Sequence, residues 1–547
     1  MISKLIQIIL LVFLVSCNSI DTDISTESTA PNILIIVADD MGYSDISYHG
    51  GEIETPYLDT FFEQSTRLNQ FYVSPSCSPT RAMLLSGADS HTVGLGNMME
   101  TLLPWQIDQK GYEGYLRKEV VTFADVLKEN GYHTYMTGKW HMGTEIDQTP
   151  DKRGFERSYA MLLGASMHNG DLWDVPPSIR DLVPPHTNHR EDGELVYFPE
   201  KSFSSNFYTE KLLEYIDKNK SDQKPFAGYL ALTAPHWPLQ APKSYVLKYK
   251  GKYAEGYEVI RKRRFEKAKE LGLIPKNTNL LEIEGLKPWE NLSVQEQQEE
   301  ARRMEVYAAM VHNMDANIGR VINYLKRNNL YNNTMILFFS DNGPDAGYME
   351  RAMKDYGFNN SLENMGKADS FLSIGKGWGA VSAVPFRGKK GKGFEGGIRG
   401  LAAIKPPFAT TVNETQALLH VMDVFPSLLD LADITISKSD SLQAISGKSF
   451  IPVLKNQVKE IRAGEPFGIE LINEIPTKVL RKDDFKLVWI NPTTASKADQ
   501  GKWELYNIIE DPTESNNLSL KMPEKFAELI EDYKSYQKNN GVITNEL

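Results

Sequence analysis

The chain has 547 residues, with 60 Lys and Arg against 72 Asp and Glu, and its formal charge of −12 argues against nucleic acid or an anionic membrane surface as a general partner. That length allows more than one domain and a core large enough to be stable without covalent staples. Only two cysteines are present, Cys17 and Cys77, so no disulfide framework carries the fold.

In chain order, Lys4 precedes an apolar run from Leu5 to Val15 broken only by Gln7. The run is well short of the ~20 residues a membrane-spanning helix needs, and it reads as the hydrophobic part of a secretory signal. Leu14-Val15-Ser16-Cys17 resembles the lipobox of bacterial lipoproteins. That resemblance implies a lipoprotein-type signal over residues 1–17, lipidation of Cys17, and export to the bacterial cell envelope, periplasmic or surface-exposed. The membrane is then reached only through the lipid. Residues 18–30, rich in Ser, Thr and Asp, read as a flexible tether. Cys77 becomes the remaining thiol of an exported protein, which points to a reactive group.

Asn32 to Ala38 (NILIIVA) is a continuous apolar run, as expected for a strand buried on both faces of a parallel sheet, and it stops at Asp39-Asp40. Tyr132 to Met136 follows a helix closed by Gly131 and leads into Gly138-Lys139-Trp140-His141. Phe226 to Thr233 ends at Ala234-Pro235-His236. Met304, Tyr307, Val311, Met314, Ile318, Val321 and Leu325 mark one face of a long helix. The run Thr334 to Ser340 after it stops at Asp341-Asn342-Gly343. Alternating helices and buried strands predict an open α/β sheet, whose ligands bind beyond the carboxyl ends of the strands. Toward the C-terminus, Phe467–Leu471, Lys478–Leu480, Phe485–Ile490 and Trp503–Ile508 read as short antiparallel strands, and Pro523–Tyr536 as a closing helix.

If the runs at 32–38 and 334–340 are neighbours, Asp39, Asp40 and Asp341 converge. Two carboxylates about 4 Å apart repel by roughly 4 kcal/mol at an effective dielectric of 20, so three require protons or a cation. Either acidic pair alone reads as turn capping. Both together favour a metal, and oxygen donors completed by Asn342 suit Ca²⁺ or Mg²⁺ rather than zinc. Arg81, Lys139, His141, His236 and Lys390 lie in or beside Gly- or Pro-marked loops. Such cations around a metal and one cysteine describe a site for a tetrahedral oxyanion ester, with sulfate and phosphate not separated.

Cys77-Ser78-Pro79-Thr80-Arg81 matches the C-x-P-x-R signature of the type I sulfatases, and Gly138-Lys139-Trp140-His141-Met142-Gly143 resembles their second signature. PNILIIVADDMGYSDI, TAPHWPLQAP, SDNG, EGGIR and WELYNIIEDPTESNNL extend the likeness from Pro31 to the C-terminus, closest to the bacterial arylsulfatase group. The resemblance implies an alkaline-phosphatase-like fold: a large mixed sheet flanked by helices in a catalytic domain over 31–457, and a smaller antiparallel four-stranded sheet plus helix over 458–547. It implies that a separate maturation enzyme oxidises Cys77 to Cα-formylglycine. The aldehyde hydrates to a diol, one oxygen of which attacks the sulfur of a sulfate ester. By the same resemblance, Asp39, Asp40, Cys77, Asp341 and Asn342 bind the metal, expected to be Ca²⁺ with Mg²⁺ as the variant. Arg81 and Lys139 position the diol, His141 is a base, and His236 and Lys390 bind sulfate and help the alcohol leave. Lys389 and Lys392 compete with Lys390 for its register. Ser78 and Thr80 lack the G-x-S-x-G context of a serine nucleophile. A helix beginning near Arg81 would add its N-terminal dipole to the anion site. Two other functions stay open: a phosphonate or phosphodiester hydrolase of the same superfamily, and a non-catalytic glycan-binding surface lipoprotein.

Overall fold

The computed structural model describes residues 30–170, 188–436, 444–472, 476–491 and 501–543. The expected signal, Cys17 and all of the tether except Ala30 lie outside them. Among the described residues no helix is long and apolar enough to cross a membrane.

The strands are β1 (Asn32–Ala38), β2 (Thr66–Leu68), β3 (Phe71–Tyr72), β4 (His133–Lys139), β5 (Arg157–Met161), β6 (His189–Glu191), β7 (Glu194–Val196), β8 (Phe226–Ala231), β9 (Thr334–Ser340), β10 (Ala402–Lys405), β11 (Glu414–Thr415) and β12 (Leu419–His420). A C-terminal group follows: β13 (Phe467–Leu471), β14 (Thr477–Lys482), β15 (Phe485–Ile490) and β16 (Lys502–Asn507). Ten strands form one mixed sheet in the order β11-β2-β10-β9-β1-β8-β4-β5-β6-β7. Its centre is parallel: β1 pairs with β9 on one side and β8 on the other, and β4 follows β8. The four runs that end in polar residues are therefore adjacent, and they point the same way.

The continuous apolar sequence of β1 has a direct cause, because both of its faces are covered. Leu34 and Ile36 join Tyr208, Leu212, Met304 and Val311, from the helices Ser204–Asn219 and Val294–Arg327. Ile33, Ile35 and Val37 join Ala82, Leu84, Phe123 and Leu428, from the helices Cys77–Ser86, Phe123–Glu129 and Val424–Leu431. The long helix buries the predicted row from Met304 to Leu325 in the first layer. It starts at Ser293, whose hydroxyl accepts from the Glu296 amide while the Glu296 carboxylate accepts from the Ser293 amide.

β13 to β16 form the antiparallel sheet expected at the C-terminus. Leu480, Leu487 and Leu505 on one face pack under Leu529 and Tyr533 of the helix Pro523–Asn540. Ile469, Val479, Val488 and Tyr506 on the other face pack on Tyr72, Ile398 and Leu418 of the main body.

Two local features differ from the sequence reading. The helix expected to begin near Arg81 begins at Cys77, with Pro79 still inside its first turn, where a missing amide proton costs nothing. β4 runs on through Lys139, so that lysine leaves from the last strand position rather than from a loop. Gly138 permits this: its φ is +106°, and a Cβ there would lie 1.9 Å from the Ala231 carbonyl oxygen on β8. Gly138→Ala is expected to lower the stability read from chemical denaturation by about 2–4 kcal/mol, combining backbone strain and overpacking. An unchanged denaturation midpoint would contradict this role for Gly138.

Candidate active site

β1 and β9 are in parallel register from Asn32 with Thr334 to Ala38 with Ser340, so Asp39 and Asp341 leave the sheet side by side. The Asp341 amide donates to the Ala38 carbonyl at 3.1 Å, and the Asp40 amide donates to Asp341 Oδ1 at 3.3 Å. Asp39, Asp40, Asp341 and Asn342 are all buried. Each acid has its own cation. Lys139 Nζ donates to both Asp39 carboxylate oxygens at 2.9 and 2.7 Å. Arg81 donates through Nε and a terminal nitrogen to Asp341 Oδ2 at 3.1 and 2.7 Å, and through its other terminal nitrogen to the Lys139 carbonyl at 2.8 Å. Lys390 Nζ lies 2.8 and 3.0 Å from the two oxygens of Asp40. Asp40, at φ +64°, also accepts from Asn342 Nδ2 at 2.6 Å.

Cys77 sits at the first position of its helix, buried, with Sγ 3.5 Å from Asp39 Oδ1 and 3.9 Å from Asp40 Oδ1. His236 Nε2 lies 3.6 Å from Asp40 Oδ2, and its Nδ1 is 2.7 Å from the Trp237 carbonyl, to which it donates. Ligand-capable atoms of Asp39, Asp40, Cys77 and His236 fall within 4.8 Å of one another.

The charges follow from burial and neighbours. Burial works against ionising Asp39, but Lys139, His236, Arg81 and Lys390 outweigh it and hold the carboxyl well below the usual range. Asp40 has more acid around it, and burial with Asp39, Asp345 and Asp341 pushes it up to about 7 despite Lys390. Burial raises the Cys77 thiol far above its ordinary value, more than Lys139 and Lys390 lower it. Lys139 and Lys390 lose hydration, yet Asp39 and Asp40 respectively keep their ammonium groups charged. Burial lowers both His141 and His236, leaving neutral imidazoles at neutral pH.

The sequence-predicted catalytic and metal residues meet here, with two refinements. Asp341 faces Arg81 with one oxygen and the Asp40 amide with the other, rather than joining the tight group around Cys77. Of the lysines in the 389–392 run, Lys390 is the one whose Nζ reaches Asp40.

Sequence reasoning missed Glu100. Its Oε1 lies 2.8 Å from His141 Nε2, and it comes from a short turn at Met99–Thr101, in a segment with no motif of its own. It also missed Asp345, which accepts from the Trp237 indole at 2.9 Å, and Tyr229, whose hydroxyl lies 3.4 Å from Arg81. Asp345 lies two residues beyond the SDNG motif and was the one legible candidate.

A cavity of 510 Å³ opens from these groups, with Cys77, His141, His236 and Lys390 at its polar end. Met98, Met167, Trp237, Met349, Met353 and Phe371 line the rest.

A buried oxyanion site at the carboxyl edge of an alkaline-phosphatase-like mixed sheet defines a class of ester hydrolases. The chain belongs to the sulfatase family: the family model described as Sulfatase matches residues 31–434. An uncharacterized sulfatase of Schizosaccharomyces pombe is 39% identical over 544 residues, covering 95% of both chains. An arylsulfatase of Klebsiella aerogenes is 38% identical over 425 residues, covering 76% of this chain and 89% of the relative. The crystal structure of Ps i-CgsB shares the fold at a TM-score of 0.68, with 22% identity and 93% of both chains covered. The protein is a sulfuric ester hydrolase.

The Glu100 contact yields a pH prediction. Its carboxylate raises the proton affinity of His141 against the lowering effect of burial. Glu100→Gln removes that support, so His141 loses its proton at lower pH. If neutral His141 serves turnover, the acid limb of the kcat profile moves to lower pH in the variant. A shift to higher pH would contradict the coupling.

Proposed function

We propose that the protein hydrolyses sulfate monoesters of apolar alcohols or phenols, with a nucleophile made from Cys77 after a maturation enzyme has oxidised it to Cα-formylglycine. The observation that carries this reading is the position of Cys77 Sγ between Asp39 and Asp40, in a site that keeps an unmodified thiol protonated. A protonated thiol supplies neither a nucleophile nor a metal ligand. A hydrated aldehyde supplies an oxygen nucleophile and can return to a carbonyl by breaking C–O.

The residues present fit a divalent cation. Asn342 Oδ1 is buried without a hydrogen-bond partner, on the amide whose Nδ2 donates to the Asp40 carboxylate. Asp39, Asp40 and Asn342, with Asp341 at the margin, would hold Ca²⁺ or Mg²⁺ through oxygen. When bound, the ion would neutralise the acids and polarise a sulfate oxygen.

This chain's own groups then divide the work. Lys139 and Arg81 offset the charge of Asp39 and Asp341 beside Cys77. Glu100 accepts a hydrogen bond from His141 Nε2–H, which fixes the tautomer and leaves Nδ1, buried and unpartnered, to accept a proton. His236 is held neutral by burial, with Nδ1 tied to the Trp237 carbonyl. Lys390, kept charged by Asp40, is the cation that stabilises negative charge on the departing oxygen. The methionines and aromatics of the cavity favour an uncharged, apolar leaving group over a polyanionic sugar. The N-terminal sequence supports an exported lipoprotein anchored through Cys17. Labelled palmitate should enter the chain and fail to enter a Cys17→Ser variant.

In matured protein, Cys77→Ala should abolish turnover of an aryl sulfate, and retained activity would refute the nucleophile. Lys390→Ala should lose on the order of 100-fold or more in kcat. A loss below about tenfold would transfer the role to Lys389 or Lys392. Chelation should remove activity and lower the melting temperature, with Ca²⁺ or Mg²⁺ restoring both; at 100 times its Kd the ion adds about 2.7 kcal/mol. A melting temperature indifferent to either ion would contradict the metal site.

A further inference from the structure

We propose that the C-terminal sheet is part of the catalytic apparatus, because Glu514, Lys486 and Thr477 clamp the loop that presents Lys390. The inference rests on the role just given to Lys390. That lysine lies in Arg387-Gly388-Lys389-Lys390-Gly391-Lys392-Gly393-Phe394-Glu395, a segment with little conformational preference of its own. Gly388 and Gly391 adopt φ of +92° and +75°. A charge that must sit within 3 Å of Asp40 is thus carried on a pliable support, and the support is fixed from outside.

The main body holds two points of the loop. The Lys390 amide donates to the Pro344 carbonyl at 3.1 Å, and the Gly391 amide donates to the Pro75 carbonyl at 2.7 Å, two residues before Cys77. The C-terminal sheet and the segment after it hold three more. At the tip, Thr477 Oγ1 of β14 donates to the Gly391 carbonyl at 2.9 Å. At the entry, Arg387 donates to the Glu514 carbonyl at 3.1 Å. At the exit, the Glu395 amide donates to Glu514 Oε2 at 2.8 Å. One residue, Glu514, therefore ties both ends of the loop.

Glu514 is itself fixed by charge. Lys486 Nζ on β15, fully buried, lies 2.7 Å from Glu514 Oε1 and 2.9 Å from Glu395 Oε1. Glu395 also accepts from Tyr72 at 2.8 Å and pairs with Arg399 at 3.3 Å. Burial, with Glu395 adding to it, raises Glu514 to about 7 against the pull of Lys486, so it is the more weakly held acid of the pair. Contact is close as well as polar: a Cβ at Gly393 would stand 2.5 Å from a Val479 methyl on β14. Glu514 stands in the EDPTESNNL stretch, which no catalytic role had accounted for.

Packing alone would also make these residues matter, so the test reads the chemistry of the leaving group. A misplaced Lys390 hurts most when the departing oxygen carries much charge. Phenyl sulfate, a poor leaving group, should then suffer more than 4-nitrophenyl sulfate, a good one. A smaller folded fraction would reduce both rates equally. In full-length matured protein, Glu514→Gln should lower kcat on phenyl sulfate about tenfold or more, since a misplacement of ~1 Å can cost up to about 100-fold. On 4-nitrophenyl sulfate the loss should stay within about threefold, with KM changed by less than about twofold. Thr477→Val, a near-isosteric change, should move the ratio the same way and serves where Glu514→Gln folds poorly. Lys390→Ala is the reference and should show the same selectivity, larger. Equal losses on both esters in Glu514→Gln and Thr477→Val, with Lys390→Ala selective, overturn the clamp. A non-selective Lys390→Ala overturns the role of Lys390 itself, and the clamp with it.

Discussion

Ala38 and Ser340 are paired in parallel, and the residues that follow them are buried acids. Burying several carboxylates within a few ångströms is affordable only if positive charge comes with them. Every other feature of the site answers that demand. Arg81 reaches Asp341 from the helix that starts at Cys77, Lys139 reaches Asp39 from the end of β4, and Lys390 reaches Asp40 from a loop far along the chain. The same field that pairs the acids can hold a sulfate ester, because a dry, preorganised cluster of cations stabilises negative charge without reorganising.

The sheet explains why these residues meet. β9, β1, β8 and β4 are consecutive and parallel, so their carboxyl ends deliver Asp341, Asp39, His236 and Lys139 to one edge. The helix Cys77–Ser86 packs on the neighbouring face and turns its first residue toward that edge. Opposite the polar wall lies an apolar cavity rich in methionine, a side chain that adapts to varied shapes. Rigid charge at one end and adaptable surface at the other match a fixed sulfate on a variable alcohol.

Most of this was legible in the sequence. Ile33–Ala38 is apolar at every position because both faces are covered, and the run stops at the acids Asp39 and Asp40. The C-terminal strands were found to within two residues, since alternation and turn residues are local signals. What was not legible depends on distance in space. The strands β2, β10 and β11, at one end of the sheet, are two to four residues long and owe their conformation to their neighbours. Glu100 lies in a segment without a motif and acquires meaning only when His141 folds against it. The choice of Lys390 over Lys389 and Lys392 needed the position of Asp40. The helix starts at Cys77, four residues before the expected position near Arg81, because Pro79 is tolerated in a first turn.

The central claim is chemical, and it can be read directly on Cys77. The tryptic peptide Leu68–Arg81, taken from active protein made in a host with a maturation system, should show by mass spectrometry an aldehyde in place of the thiol. It should also react with a hydrazide probe. Protein of full specific activity whose peptide carries only the intact thiol would contradict the account.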